Sequence, residues 1–257
     1  MKFTLQYPIK PIIVTQHFGE TANLAYYEAA GINFIGHNGI DFHAYHGQPI
    51  YAAHDGTAYY EIDQSGGHGV IIVTNDEYDY KGGQAYFKSI YWHMIDSSKE
   101  PQFKSPIEGY SFPGNGIQVK TGDLIGYANS TGLSTGDHLH FGLKPMLLAY
   151  PSDYTNIEQN NGYMGAIDPT PYFPRHIFNT DMNYGENSPE VSALQDYLIQ
   201  NGFMTPIPSA QYGIYGPKTA SGVFLFQKTY QVSNQLVLAW NRGKYVGPLT
   251  RKFLNSV

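Results

Sequence analysis

No cysteine occurs anywhere in the 257 residues. That removes thiolate metal ligands, a thiol nucleophile and disulfide staples, and it leaves histidine and carboxylate as the strong metal ligands on offer. Charge is scarce as well. Lys, Arg, Asp and Glu make up 14% of the chain and the formal net charge is -6, so no basic field exists to hold a nucleic-acid backbone. No apolar run approaches the roughly 18 residues that span a bilayer, and residues 1–8 lack any continuous apolar stretch. Nucleic acid and a membrane span are therefore set aside, and a monomer is the default expectation.

What is present is apolar and aromatic. The hydrophobic content of 42% can fill a core, and the length suits one large or two modest domains. Up to about Tyr172, short apolar runs such as Gly69-Val70-Ile71-Ile72-Val73 and Gly122-Asp123-Leu124-Ile125-Gly126 alternate with turn formers. Runs of that length read as β-strands in a sandwich or barrel-like core, with the 23 tyrosines packing on pleated surfaces. Residues 179–188 are polar and Gly/Asn-containing and read as a linker. Beyond them, Ser188-Pro189 opens a helical pattern with Val191, Leu194 and Leu198 on one face, and Asn201-Gly202 closes it. The phrases Gly216-Pro217-Lys218-Thr219 and Gly247-Pro248-Leu249-Thr250 repeat, each placing Pro where the first turn of a helix tolerates a missing N–H. The expected architecture is α+β: a mainly antiparallel β domain over residues 1–178, then a three-helix module with long loops over residues 179–257.

Three histidine-bearing segments stand out: Gly36-His37-Asn38-Gly39-Ile40-Asp41, Ile90-Tyr91-Trp92-His93-Met94 and Gly136-Asp137-His138-Leu139-His140-Phe141-Gly142. Residues two or four apart on a strand share a face, so His37 with Asp41, and His138 with His140, can each aim at one point. Two imidazoles and a carboxylate complete the protein's share of a catalytic zinc site and leave one position for water. The same donor set also holds Fe(II) in oxygenases, a reading that leaves His93 and His138 unexplained. His17, His43, His46, His54, His68 and His176 read as surface or hydrogen-bonded residues, although His43 and His46 lie close enough to the first segment to shape a cleft.

These segments resemble the LytM-type or lysostaphin-type zinc peptidases of the M23 family. The resemblance includes Thr15-Gln16-His17-Phe18-Gly19, His37-Asn38-Gly39-Ile40-Asp41-Phe42, Gly66-Gly67-His68-Gly69, Tyr91-Trp92-His93-Met94, the run from Gly126 to Phe141, and Asp168-Pro169. It implies a zinc-dependent endopeptidase acting on the peptide part of bacterial peptidoglycan, with one Zn2+ on His37, Asp41 and His140. It further implies His138 as general base and His93 as donor to the developing oxyanion. Such a protein acts in the cell wall or periplasm, reached through a leader outside these residues or by phage lysis. The tail resembles the three-helix peptidoglycan-binding domain found on wall hydrolases, through Ser188-Pro189-Glu190-Val191, Tyr212-Gly213-Ile214-Tyr215-Gly216-Pro217 and Gly247-Pro248-Leu249-Thr250. It departs from that pattern by extra residues at 205–211 and 230–246, the latter carrying Trp240 and Arg242. A non-catalytic wall-binding or regulatory protein of the same fold is the alternative, and the five retained His and Asp residues count against it.

Overall fold

The computed structural model describes residues 1–10, 12–149, 155–174 and 176–256. Its contacts divide the chain into two compact units, Met1–Pro174 and Arg175–Val257.

Unit 1 runs through β1 (Val14–Gln16), α1 (Leu24–Ala29), β2 (Ile40–His43), β3 (Pro49–Tyr51), β4 (Gly56–Ile62), β5 (His68–Val73), β6 (Tyr78–Tyr80), β7 (Gly83–Met94), β8 (Ile117–Val119), β9 (Leu124–Tyr127) and β10 (His138–Met146). The main sheet has the order β1-β2-β10-β7-β5-β4-β8, with β6 attached to β7, and β3 pairs with β9 as a separate ribbon. Every strand pairing among the described residues of this unit is antiparallel. Such a sheet can hide one face and leave the other to a site.

Period-two alternation sorts the residues accordingly. Phe42, Leu139, Phe141, Leu143, Tyr91, Phe87, Val70 and Ile72 all enter one buried cluster. The amino-terminal segment covers that cluster. Phe3 stacks on Phe87 with centroids 4.2 Å apart, and Tyr7 stacks on Phe173 at 4.4 Å. Burying one such ring contributes roughly 1.5–3 kcal/mol, so this layer fixes the sheet whose opposite face carries Asp41, His140 and Trp92.

One polar group inside unit 1 ties stability to pH. His54 is 4% exposed, its Nδ1–H donates to the Asp55 carbonyl at 2.8 Å, and Ser89 Oγ lies 2.7 Å from Nε2. A neutral ring satisfies both contacts. Burial lowers the His54 pKa to about 4 against 6.5 for a free imidazole, and the contact with Asp55 only partly offsets this. Between those values the unfolded chain binds a proton that the folded chain refuses. His54 therefore contributes full stability above pH 6.5, which is lost as pH falls toward 4, on the order of 3 kcal/mol in all. In urea melts with chelator present, His54→Gln should flatten the acid limb between pH 6.5 and 4. An unchanged limb would show that the loss arises elsewhere.

Unit 2 holds β11 (Met182–Asn183), α2 (Pro189–Gln200), α3 (Pro217–Thr229), α4 (Gln235–Asn241), β12 (Tyr245–Val246) and α5 (Pro248–Leu254). Two expectations need correction. Residues 179–188 do not form a free linker, because β11 pairs with β12 and Asp181 accepts from Arg251 Nε at 2.9 Å. The module also has four helices rather than three among the described residues. The extra segment 230–246 folds α4, capped by Asn234 accepting from Val237 N–H at 3.0 Å.

The repeated Gly-Pro-x-Thr phrase has a packing cause. Gln195 on α2 donates to Thr219 Oγ1 at 2.9 Å, and Gln227 on α3 donates to Thr250 Oγ1, also at 2.9 Å. Each phrase therefore starts a helix and supplies a buried threonine to a glutamine on an earlier helix.

Candidate metal centre and catalytic cleft

Asp41 on β2 stands opposite His140 on β10, and His140 stands opposite Trp92 on β7. The neighbours Phe42, Phe141 and Tyr91 point into the core, so Asp41, His140 and Trp92 must point away from it. His37 arrives differently. It lies in the loop before β2 rather than on a strand, so same-face spacing does not account for its position. Backbone bonds hold it instead: His37 N–H donates to the Glu20 carbonyl and Gly19 N–H donates to the His37 carbonyl, each at 2.8 Å. Its ring is oriented by Nδ1–H donating to the His17 carbonyl at 3.2 Å. Gly39 makes the approach possible, because a Cβ there would lie 2.6 Å from the Phe141 carbonyl oxygen and 2.7 Å from His140 Cε1.

Three ligand atoms converge as a result. His37 Nε2 is 3.0 Å from His140 Nδ1 and 3.2 Å from Asp41 Oδ1, and His140 Nδ1 is 3.0 Å from the same oxygen. A tetrahedral zinc ion with bonds of about 2.0–2.1 Å sets its ligands about 3.3 Å apart, which this triangle fits closely. Charge agrees with shape. With the Nδ1 proton of His37 committed to His17, its Nε2 lone pair faces a carboxylate and a second imidazole, an arrangement that a shared cation resolves. Burial opposes ionisation of Asp41, but its contacts with His140 and His37 outweigh it and hold the carboxyl well below the usual range. Burial pushes His140 toward the neutral form against the pull of Asp41. An ionised carboxylate with neutral imidazoles is the state in which such residues bind a divalent ion. His37, Asp41 and His140 are the metal-capable cluster among the described residues, and their donor set is that of a single zinc-binding site.

His93 and His138 stand beside this triangle with ring centroids 4.5 Å apart. His138 N–H donates to the Asn129 carbonyl and Asn129 N–H donates to the His93 carbonyl, so one backbone segment links the two. The Nδ1–H of His93 donates to the Thr131 carbonyl and that of His138 to the Gly136 carbonyl, both at 2.8 Å. In each neutral ring Nε2 is then a lone pair. That of His138 lies 3.7 Å from Asp41 Oδ2. Burial, followed by the nearby His138 and His140, lowers the His93 pKa to about 4.

A β-bulge positions His93. Gly69 pairs with Trp92 and His68 with Met94, which leaves His93 as the extra residue, with φ of 68°. Bulges of this kind redirect a side chain beside a site. The adjacent Trp92 ring rests on Gly69, where a Cβ would come within 2.3 Å of it.

The cleft around these residues has a volume of about 780 Å³, with Tyr27, Phe34, Ile90, Trp92 and Leu133 in its walls. A second hollow of about 890 Å³ shares Trp92, Glu61 and Asp63 with it. Burial, Asp41's charge and Tyr26 together push the Tyr27 hydroxyl up to about 12. Tyr27 and Trp92 were not singled out from the sequence. Tyr27 carries no local signal there, since α1 has no buried residue and no apolar stripe. His43 and His46 lie outside the metal cluster, and His46 pairs with Glu100 at 2.8 Å.

Residues 35–150 match the family model described as "Peptidase family M23", and residues 187–233 match "Putative peptidoglycan binding domain". Among solved structures, the chain is similar to the catalytic domain of the antimicrobial peptidase lysostaphin from Staphylococcus simulans. That likeness has 24% identity and a TM-score of 0.42, and covers 63% of this chain and 91% of that one. It is also similar to a zinc containing peptidase from Vibrio cholerae, with 23% identity over 66% of this chain and 41% of that one and a TM-score of 0.39. A third likeness is a mutant form of the catalytic domain of the prophage-encoded M23 protein EnpA from Enterococcus faecalis. It has 22% identity over 63% of this chain and 91% of that one, with a TM-score of 0.37. Comparison with curated protein sequences gives no match.

Proposed function

We propose that this chain, in which a family M23 peptidase domain precedes a peptidoglycan-binding domain, is a zinc endopeptidase that cuts stem peptides or cross-bridges of bacterial peptidoglycan. The observation that carries the reading is the convergence of His37, Asp41 and His140 to within 3.2 Å of one another, beside two further histidines. Bound zinc supplies a water acidic enough to act near neutral pH and polarises the scissile carbonyl. His138, its Nδ1–H held by Gly136, takes a proton at Nε2 and returns it from the same atom to the leaving amine. His93, its Nδ1–H held by Thr131, takes a second proton from solvent at Nε2 as negative charge develops on the substrate carbonyl oxygen, and donates a hydrogen bond to that oxygen from there.

Residues 1–178 carry this chemistry and residues 179–257 hold the polymer, in a protein that acts as a monomer at the cell wall. No helix among the described residues is long and apolar enough to cross a membrane. A weak grip on an insoluble polymer raises the local concentration of scissile bonds. Deleting the residues after Asn179 should therefore lower turnover of whole sacculi by about 10-fold or more, while a soluble cross-linked peptide loses less than about 2-fold. An equal loss on both substrates would make the tail a stabilising cap instead. The peptidase reading has its own test: chelation should abolish cleavage of the soluble peptide, and about one equivalent of zinc should restore it. Cleavage that survives chelation would refute it.

A further inference from the structure

One rung of the sheet crosses four strands through Gln16, Asp41, His140 and Trp92, which pair in that order, with a register shift between Val14 and Gln16 bringing Gln16 opposite Asp41. Directly opposed residues project from the same face with Cβ atoms about 5 Å apart, so Gln16 and Asp41 are side-chain neighbours on the face that holds the metal centre. Both also line the same cleft.

Gln16 is only 6% exposed, and its Nε2 has no hydrogen-bond partner among the described residues. A buried donor in that state bears the desolvation cost of a hydrogen bond without its return. The other end of the amide is committed, because Oε1 accepts from Asn23 Nδ2 at 2.8 Å. Asn23 occupies the cap position of α1 yet makes no side-chain cap there, so its amide serves Gln16 instead of the helix. The N–H end of Gln16 is thereby turned away from Asn23. Asp41 has an oxygen to spare on the cleft side. Its Oδ1 meets both His37 and His140, whereas Oδ2 has His138 Nε2 at 3.7 Å, beyond hydrogen-bond reach. A buried donor and a carboxylate oxygen, neither with a hydrogen-bond partner among the described residues, thus occupy adjacent positions on one rung.

We propose that Gln16 is a positioning residue for the metal centre: its side-chain amide donates to Asp41 Oδ2 when Oδ1 ligates zinc, and so fixes the carboxylate. The inference rests on the zinc reading of the site. Substrate is the poorer candidate partner, because Gln16 Nε2 is closed off from solvent. A neutral amide also suits the place, since it orients the carboxylate without competing for it as a lysine or arginine would. Outer partners of this kind hold a ligand's orientation and are worth about 10–100-fold in metal affinity.

The test is zinc affinity, measured by competition with a chelating dye on the full chain, for wild type, Gln16→Met and Asn23→Ala. Gln16→Met keeps the length of the side chain and removes the donor. It should raise the zinc dissociation constant about 10–100-fold, with no fall in the melting temperature of the metal-free protein. Asn23→Ala, at an exposed position, leaves the amide present but untethered and should raise the constant by about 3-fold, a fraction of the Gln16→Met effect. Unchanged zinc affinity in Gln16→Met overturns the proposal, and if its KM for a soluble peptide rises instead, the amide serves substrate. Should Gln16→Met fail to fold, unchanged affinity in Asn23→Ala overturns it. A wild-type protein that binds no zinc would refute the metal-site reading itself, which is a different result.

Discussion

His140→Ala is expected to lose zinc and turnover together, whereas His138→Ala keeps its zinc and loses turnover alone. The two residues sit two apart on one strand face, so a general disturbance of β10 would affect both alike. Geometry separates them. His140 Nδ1 is one corner of the ligand triangle, 3.0 Å from both His37 Nε2 and Asp41 Oδ1. His138 turns its Nδ1–H to the Gly136 carbonyl, which leaves its Nε2 outside the ligand triangle as a lone pair. Removing a direct ligand should cost more than the roughly 10–100-fold that outer partners supply, so His140→Ala should retain no zinc through gel filtration. Loss of a general acid–base group should lower kcat by about 100- to 10,000-fold at full metal content. Metal analysis beside kcat on a soluble peptide checks both outcomes. Equal zinc loss in the two variants would contradict the division of roles.

His93→Gly should be inactive yet more stable than His93→Ala. Glycine ordinarily destabilises a strand relative to alanine, by roughly 0.5–1 kcal/mol. At position 93 the order should reverse, because the bulge holds the backbone at φ of 68°, where a Cβ costs roughly 1–2 kcal/mol and glycine is at ease. Both variants lose the contact to Thr131 and the imidazole at the cleft, so both should lose about 100- to 1,000-fold in kcat. The stability difference between them isolates the backbone strain that aims His93. Urea midpoints measured on metal-free protein decide it, and an alanine variant more stable than the glycine variant would show that no strain is held there.

Those two residues also mark how far the sequence could be read. Period-two alternation on β10 places His138 and His140 opposite Leu139 and Phe141, and this was legible because the strand is regular. His37 shared the site for a reason the spacing did not contain: loop bonds to Gly19 and Glu20 place it, and they join segments about 18 residues apart in the chain. The bulge at His93 was equally hidden, since an extra residue in a ladder appears only once the register with His68 and Gly69 is known. Nothing in the motif around Gln16 signals a role for it, because its pairing with Asp41 is a tertiary fact. In the tail, Gly-Pro-x-Thr gave two helix starts directly. The helix at 235–241 is not legible because only Leu238 of its apolar residues is buried, whereas Leu236 is 83% exposed and Trp240 88% exposed, so no buried stripe announces it.

The most direct test of the central claim is mass spectrometry of the soluble fragments that the zinc-loaded protein releases from purified peptidoglycan, run beside a chelated sample. The account predicts new peptide termini within stems or cross-bridges, intact glycan linkages, and no release in the chelated control. Intact stem peptides across several wall chemotypes, with zinc bound, would contradict it and leave a wall-binding protein that does not cut.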